Sequence, residues 1–239
     1  MSPHADAEVR QARSQGIQVA LAVSVSGISF GALAVVAGFS VAQAMVLSLI
    51  MFSGASQFAV ISIVGTGGLT AWLPAVLTAS LLGLRNGLYG LRMSAIIGPG
   101  VLKRTVAAQL TVDESTAVGS NQVSVQAGRA GFWTTAIFLY LGWNLATLAG
   151  ALLGDVVGDV RSYGLDAAAA AAFLGLVWPR LREGEPAFVA LGAAVLTVVL
   201  LPMVPAGIPV VVVAVVAIGV AVWRHRRQPV RPDRPEISS

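Results

Sequence analysis

Apolar residues run along this chain in long blocks, and the polar and charged residues gather in the gaps between them. Seven blocks stand out: Ile17 to Ala37, Val41 to Val64, Leu69 to Met93, Ala130 to Gly154, Tyr163 to Leu181, Pro186 to Leu201 and Gly207 to Trp223. At about 1.5 Å rise per residue most of them reach across a hydrocarbon layer of about 30 Å. The pattern therefore predicts an all-α integral membrane protein, a polytopic helical bundle of about seven transmembrane spans. Pro202, Pro205 and Pro209 divide the last apolar stretch into two antiparallel helices. Ser94 to Arg129 is polar and reads as a long loop with room for an interfacial or re-entrant helix. The domain division that follows is a polar tail over residues 1–16, a transmembrane domain over 17–223 and a basic tail over 224–239.

Composition agrees with lipid as the solvent. Hydrophobic residues make up 56% of the chain and charged residues 11%, whereas a soluble domain carries roughly a quarter charged residues. With a mean hydropathy of +0.81 too few charges remain to cover a soluble core. The net charge of +4 does not mark a nucleic-acid surface, because the basic residues sit between apolar blocks and in the tail from Arg224 to Arg234.

Those charges set an expected topology. The gap with Lys103, Arg104 and Arg129, the gap with Arg180 and Arg182, and the tail fall on one side, which predicts a cytoplasmic C-terminus. The gap with Asp155, Asp159 and Arg161 then lies outside, and an odd number of spans puts the N-terminus in the periplasm. An eighth span in the middle loop would reverse the N-terminus. Ala32-Leu33-Ala34 resembles a signal-peptide cleavage site, but Asp6 and Glu8 beside Arg10 and Arg13 are not the flank of a secretory leader, so Ile17 to Ala37 is expected to be the first span.

The chain has no cysteine, and both histidines, His4 and His225, stand in the polar termini. Thiolate nucleophiles, zinc-thiolate sites and a histidine-based triad are excluded, and no cofactor or metal is expected. A membrane enzyme would lack a convergent acid, base or nucleophile within its spans.

Small and polar residues inside apolar blocks are the candidates for function. Phe52-Ser53-Gly54-Ala55-Ser56-Gln57-Phe58 sits in the second block, where backbone groups have no water to turn to. One reading is a broken helix in which Ser53, Gly54, Ser56 and Gln57 bind a zwitterion near the bilayer midplane; the other is close helix packing through small residues. Gly27 with Gly31, and Gly150 with Gly154, have the four-residue spacing of close helix contacts. Ser24, Ser26 and Ser29 bond substrate or carbonyls one turn earlier. An internal repeat pairs Gly31-Ala32-Leu33 with Gly150-Ala151-Leu152, Gly38 with Gly158, and Phe52-Ser53-Gly54 with Phe173-Leu174-Gly175, and three intervening spans would make it an inverted repeat.

Arg85, Tyr89 and Arg92 share a helix face in the third block. An arginine at the bilayer centre costs about 2.5–3.5 kcal/mol on insertion scales, so Arg85 either faces a carboxylate or snorkels to the interface. Asn86 adjoins it. Asp113 and Glu114 offer a protonatable coupling group or a partner for Arg85, and otherwise read as solvated loop charges. Asn144 needs a partner inside the fourth block. Asp166 opens the fifth, where a helix N-terminus favours an anion.

Several separated motifs carry a family resemblance. Gly27-Ile28-Ser29-Phe30-Gly31 with Gly38-Phe39-Ser40, Ser53-Gly54-Ala55-Ser56-Gln57-Phe58, Arg85-Asn86 with Leu88-Tyr89, Leu110-Thr111-Val112-Asp113-Glu114-Ser115, and Gly164-Leu165-Asp166-Ala167 stand in an order that resembles the AzlC-type branched-chain amino acid permeases. The family's acidic segment has a threonine before the acidic pair and an aromatic after it, where this chain has Val112 and, after Ser115, Thr116. The resemblance implies a secondary transporter of the bacterial cytoplasmic membrane that exports branched-chain amino acids, driven by the proton gradient, with a small AzlD-type membrane subunit as partner. From the residues themselves, substrate binding is expected at Ser53, Gly54, Ser56, Gln57, Arg85, Asn86 and Asn144, and coupling or gating at Asp113, Glu114 and Asp166. The alternative is a passive channel or a structural membrane subunit in which the same small residues only pack helices.

Overall fold

The computed structural model describes residues 3–157 and, beyond them, 178, 181–182, 185–200, 202–204 and scattered positions from 208 to 219. The fold is almost entirely helical, with no strand among the described residues. In chain order the helices are α1 (Pro3–Ser24), α2 (Ser26–Val36), α3 (Val41–Ile50), α4 (Gly54–Gly67), α5 (Trp72–Ile97), α6 (Val101–Leu110), α7 (Asp113–Ser120), α8 (Val125–Val157) and α9 (Glu185–Leu200). Among the described residues two apolar segments have the length to cross a membrane: His4–Val36, which joins α1 and α2, and Val125–Val156 in α8. Most of the expected fifth span, Asp166 and most of the seventh span lie outside the described residues.

Helices α1 and α2 are one rod with a joint at Val25. Ser24 Oγ donates 2.6 Å to the Ala20 carbonyl, a back-bond that bends helices, and Ile28 N bonds Val25 O at 3.1 Å instead of a carbonyl four residues back. This rod lies along α8, and the two run parallel. Glu8 accepts from Ser124 Oγ at 2.7 Å, Gly16 meets Gly131 and Thr135, Gly27 meets Trp143 and Gly154 meets Ala32. The approach is backbone to backbone. A Cβ on Gly27 would stand 2.7 Å from the Trp143 carbonyl oxygen, one on Gly31 would run into the Thr147 carbonyl, and one on Gly150 into that of Ile28. The two glycine pairs are packing residues, as small residues at four-residue spacing commonly are.

Contact partners give the direction of each remaining helix. The end where α1 and α8 begin is the base. Helix α3 starts at the far end, where Ser40 and Gln43 form a reciprocal cap: Gln43 N donates to Ser40 Oγ at 3.2 Å and Ser40 N to Gln43 Oε1 at 2.8 Å. It descends along α8, with Ser48 Oγ 3.4 Å from Thr147 Oγ1 and Phe52 against Tyr140. The chain then turns at Met51-Phe52-Ser53, and α4 climbs back until Gly65 touches Ala37. The second apolar block, expected as one span, is thus a re-entrant hairpin. Its first arm has 10 residues, about 15 Å of rise, half of the hydrocarbon thickness.

Helix α5 descends past the first hairpin's tip, where the Ala79 carbonyl accepts from Ser56 Oγ at 3.0 Å, to the base, where the Ile96 carbonyl accepts from Arg129 Nε at 3.0 Å near the start of α8. The polar segment expected as a loop holds a second hairpin. Helix α6, again 10 residues, rises from the base, where Arg104 Nε donates 3.1 Å to Gly98 O. It reaches mid-depth, where Gln109 Nε2 donates to the carbonyls of Leu49 and Ile50 at 3.1 and 2.9 Å. After Leu110-Thr111-Val112 the chain turns down through α7, and Gly119 packs on Met93 and Phe132 near the base. The two hairpins enter from opposite ends and meet tip to tip.

Two expectations change. The copies of Gly-Ala-Leu at Gly31 and Gly150 lie on α2 and α8, which run parallel, so that pairing is not inverted. The N-terminus shares the base with Lys103, Arg104 and Arg129 instead of facing the other side, because a hairpin, unlike a span, returns the chain to the end it left.

Candidate functional site

Where a hairpin tip stops halfway, the first turn of the following helix is left with backbone N–H groups that have no intrahelical partner. Two such N-termini, those of α4 and α7, start at mid-depth. Ser53, the residue before α4, is extended and gives no side-chain cap, and the first turn of α4, Gly54-Ala55-Ser56, carries no acid. Helix α7 instead begins with Asp113 and Glu114, where the positive end of the helix dipole favours carboxylates.

Between these termini lies a cavity of about 320 Å³. The α1–α2 joint contributes Ala22, Val23 and Ser26, the first tip Phe52 to Ala55 with Phe58, α5 Arg85 and Asn86, the second tip Val112 to Glu114, and α8 Leu139 and Trp143. One wall is aromatic: Phe58 meets Trp143 and the fully buried Phe30 edge to face, with centroids 6.5 and 5.6 Å apart. The opposite wall is charged. Arg85 Nη2 lies 2.8 Å from Asp113 Oδ2, and the two side chains keep 35% and 30% exposure, so the pair is reachable from the cavity. Glu114 lines the cavity beside it.

The cavity walls hold polar atoms that lack partners. Arg85 Nε, Asn86 Oδ1 and Trp143 Nε1 are shielded from solvent and make no hydrogen bond. Buried polar groups are normally paired; of the seven unpaired ones among the described residues these three belong to residues of the cavity, and Gln57 Oε1, Thr78 Oγ1, Thr116 Oγ1 and Asn144 Oδ1 belong to residues outside its lining. A second cavity of about 250 Å³ shares Phe52, Ser53 and Asn86 with the first and extends to Ser56, Ala79, Gln109 and Thr111.

Of the residues expected to bind substrate, Ser53, Gly54, Arg85 and Asn86 line the main cavity, as do Asp113 and Glu114. Ser56, Gln57 and Asn144 do not. Ser56 bonds Ser53 Oγ at 3.1 Å and the α5 backbone. Gln57 is fully buried, with Nε2 3.4 Å from Ser48 O in the opposite arm of the hairpin. Asn144 Nδ2 donates to Tyr140 O at 2.7 Å on its own helix. Their places follow from helix rotation: residues one and two positions along from Ala55 or Trp143 point away from the face that carries those two. Asp113, weighed as a loop charge, is the partner of Arg85.

Sequence reasoning passed over Trp143 and Leu139, which read as ordinary apolar residues, gave Phe52 and Phe58 no role of their own within the small-residue segment, left Ser26 between substrate and back-bonding, and missed Gln109, which joins the tips. A glutamine closing a basic 10-residue helix was the available signal for the last. For Trp143 only its polar neighbour Asn144 gave a hint.

Among the described residues no group of histidines, cysteines or carboxylates has the makings of a metal site. Comparisons with curated proteins and with solved structures return no match. The AzlC protein family model matches residues 18–157, which is more than half of the 239-residue chain and includes both hairpins, α5, α8 and every residue lining the cavity. Proteins of that family are membrane transporters and not enzymes. A membrane bundle with two half-depth hairpins closing on one partly charged cavity fits that description, and the chain belongs to the AzlC family.

Proposed function

We propose that the cavity binds one apolar amino acid as its zwitterion and that the protein exports branched-chain amino acids by alternating access. The observation that carries this is the split chemistry of the cavity. Arg85 Nε, Trp143 Nε1 and the free N–H groups at Gly54 and Ala55 present donors for a carboxylate. Asn86 Oδ1 and Glu114 present acceptors for an ammonium, and Phe52, Phe58 and Leu139 surround an aliphatic side chain. A volume of about 320 Å³ is at the small end of ligand sites, which run from about 300 to 1,000 Å³. Discontinuous helices whose N-termini face an anionic substrate group at mid-membrane are a recurrent transporter device.

The hairpins support an inverted repeat different from the one the sequence suggested. Gly38 and Gly98, both with positive φ, precede α3 and α6, which begin at Val41 and Val101 and have equal length. The unit α2-α3-α4 and the unit α5-α6-α7 are then offset by sixty residues and opposite in direction. Arg10, Arg13, Arg92, Lys103, Arg104 and Arg129 all belong to the base, which makes it the cytoplasmic end by the positive-inside rule. Three further spans after α8, as the hydropathy pattern predicts, would bring the basic tail to the same side. Family membership supports a small AzlD-type membrane subunit as partner.

The test is binding and counterflow in proteoliposomes. Labelled leucine should exchange against unlabelled leucine, while 4-methylpentanoate, which lacks the amino group, and isoamylamine, which lacks the carboxylate, should each fail to compete at tenfold higher concentration. Competition by either, or leakage without exchange stimulation, would replace this reading with a pore.

A further inference from the structure

The charged wall of the cavity does not balance. Arg85, Asp113 and Glu114 are its charged lining residues, and Arg85 is committed to Asp113 at 2.8 Å. The other elements that line the cavity present Ala22, Val23 and Ser26 from the α1–α2 joint, Phe52 to Ala55 with Phe58 from the first hairpin, and Leu139 and Trp143 from α8. None of these is a cation. The N-terminus of α7 eases an anion at Glu114 without cancelling its charge.

We infer that Glu114 is the coupling residue of the transport cycle, holding in turn a proton and the α-ammonium of the substrate, so that the two compete for one carboxylate. This rests on the proposed amino acid substrate. A cavity with Glu114 ionised and empty carries one net negative charge at mid-membrane. Moving a lone charge through that depth slows reorientation by about a hundredfold. A proton on Glu114 removes that charge, whereas a bound zwitterion leaves the net charge at minus one but pairs Glu114 with its ammonium and sets its carboxylate at the N-terminus of α4. Neither loaded form therefore moves an unpaired ion, and the charge crosses with the loaded carrier.

The cycle conserves atoms and charge. From the cytoplasmic side an amino acid zwitterion enters, its ammonium replaces the proton on Glu114, and that proton leaves to cytoplasmic water. The loaded carrier opens outward. A proton from the periplasm then protonates the carboxylate, the zwitterion leaves, and the protonated carrier returns. One proton enters for each amino acid exported, and one positive charge moves inward. Asp113 cannot take this role while Arg85 holds it, which leaves the ion pair to position its neighbour.

The experiment uses the full chain in proteoliposomes, comparing wild type with Glu114→Gln. Wild-type leucine binding should release one proton, and its affinity should fall as pH falls. Glu114→Gln should keep leucine counterflow, with affinity about tenfold weaker and independent of pH, and should lose accumulation driven by an imposed pH gradient. Gradient-driven accumulation at the wild-type level in Glu114→Gln, or wild-type binding without proton release, overturns the inference. Should Glu114→Gln lose counterflow as well, Glu114→Asp decides: restored counterflow with coupling supports the assignment, and restored counterflow without coupling overturns it. Wild-type protein with no counterflow of any aliphatic amino acid would bring down the substrate reading, and this inference with it.

Discussion

Gln109 Nε2 stands 2.9 Å from the carbonyl oxygen of Ile50 and 3.1 Å from that of Leu49, so the tip of the second hairpin caps the last turn of the first. Those carbonyls close α3 at mid-depth on an exposed face of the bundle, where lipid offers no donor and an unpaired acceptor is costly. Tyr140 OH supplies a further bond to Leu49 O at 3.1 Å. Gln109→Leu should therefore leave Ile50 O without its side-chain donor and lower thermal stability in detergent by about 1–3 kcal/mol. Gln109→Glu, which can accept but not donate when ionised, should do no better. Unchanged melting of both variants would show that the tips do not hold each other.

The glycine contact between α2 and α8 makes a sharper stability prediction. A Cβ on Gly31 has no room before the Thr147 and Ala151 backbone, and none of the atoms it would meet belongs to a side chain. Gly31→Ala should force the helices apart, at about 1–3 kcal/mol for overpacking, with reduced membrane abundance. Gly87→Ala, on α5 where nothing lies within 4 Å, is the control and should be silent. Abundance by immunoblot and melting of the purified protein check both.

Arg85 has two separable duties: an Nη2 contact to Asp113 and an unpartnered Nε at the cavity. Arg85→Lys keeps a cation for Asp113 but loses the second donor, so leucine efflux should fall mainly through weaker apparent affinity at unchanged abundance. Arg85→Ala leaves two carboxylates unopposed and should be worse. Arg85→Ala combined with Asp113→Ala restores the wild-type net charge and should recover part of the loss, a coupling of about 1–2 kcal/mol. Arg92→Lys, exposed and nearer the base, should match wild type. Equal losses in Arg85→Ala and in the double variant would mean that the pair does not act as a unit.

Topology can be tested cleanly because the chain has no cysteine. Gln11→Cys near the base and Thr70→Cys at the far end should be labelled from opposite faces. A membrane-impermeant maleimide added to intact cells should reach Thr70→Cys and not Gln11→Cys. Labelling of both from one side would restore a second full span in place of the first hairpin.

The residue pattern by itself settled what depends on composition and local spacing: a helical membrane bundle, close packing through Gly27, Gly31, Gly150 and Gly154, and the interest of Ser53-Gly54, Arg85 and the acidic pair. These are legible because lipid demands apolar blocks, and because a glycine or a charge inside such a block always needs a reason. Hydropathy could not tell the single span expected from Val41 to Val64 from a hairpin with two half-depth arms, since both are apolar and of similar length. It read the second hairpin as a loop, because α6 and α7 face protein and cavity and so carry polar residues.

Tertiary structure decided the rest. The hairpins placed the N-terminus with the basic end, joined Arg85 to an aspartate 28 positions away, and brought Trp143 across from α8. They also separated Ser53 and Gly54, which face the cavity, from Ser56 and Gln57, which hold the hairpin. The physical reason is that a site at mid-membrane is built from ends of helices. Where an end stops, and which face it turns inward, depends on what packs against it.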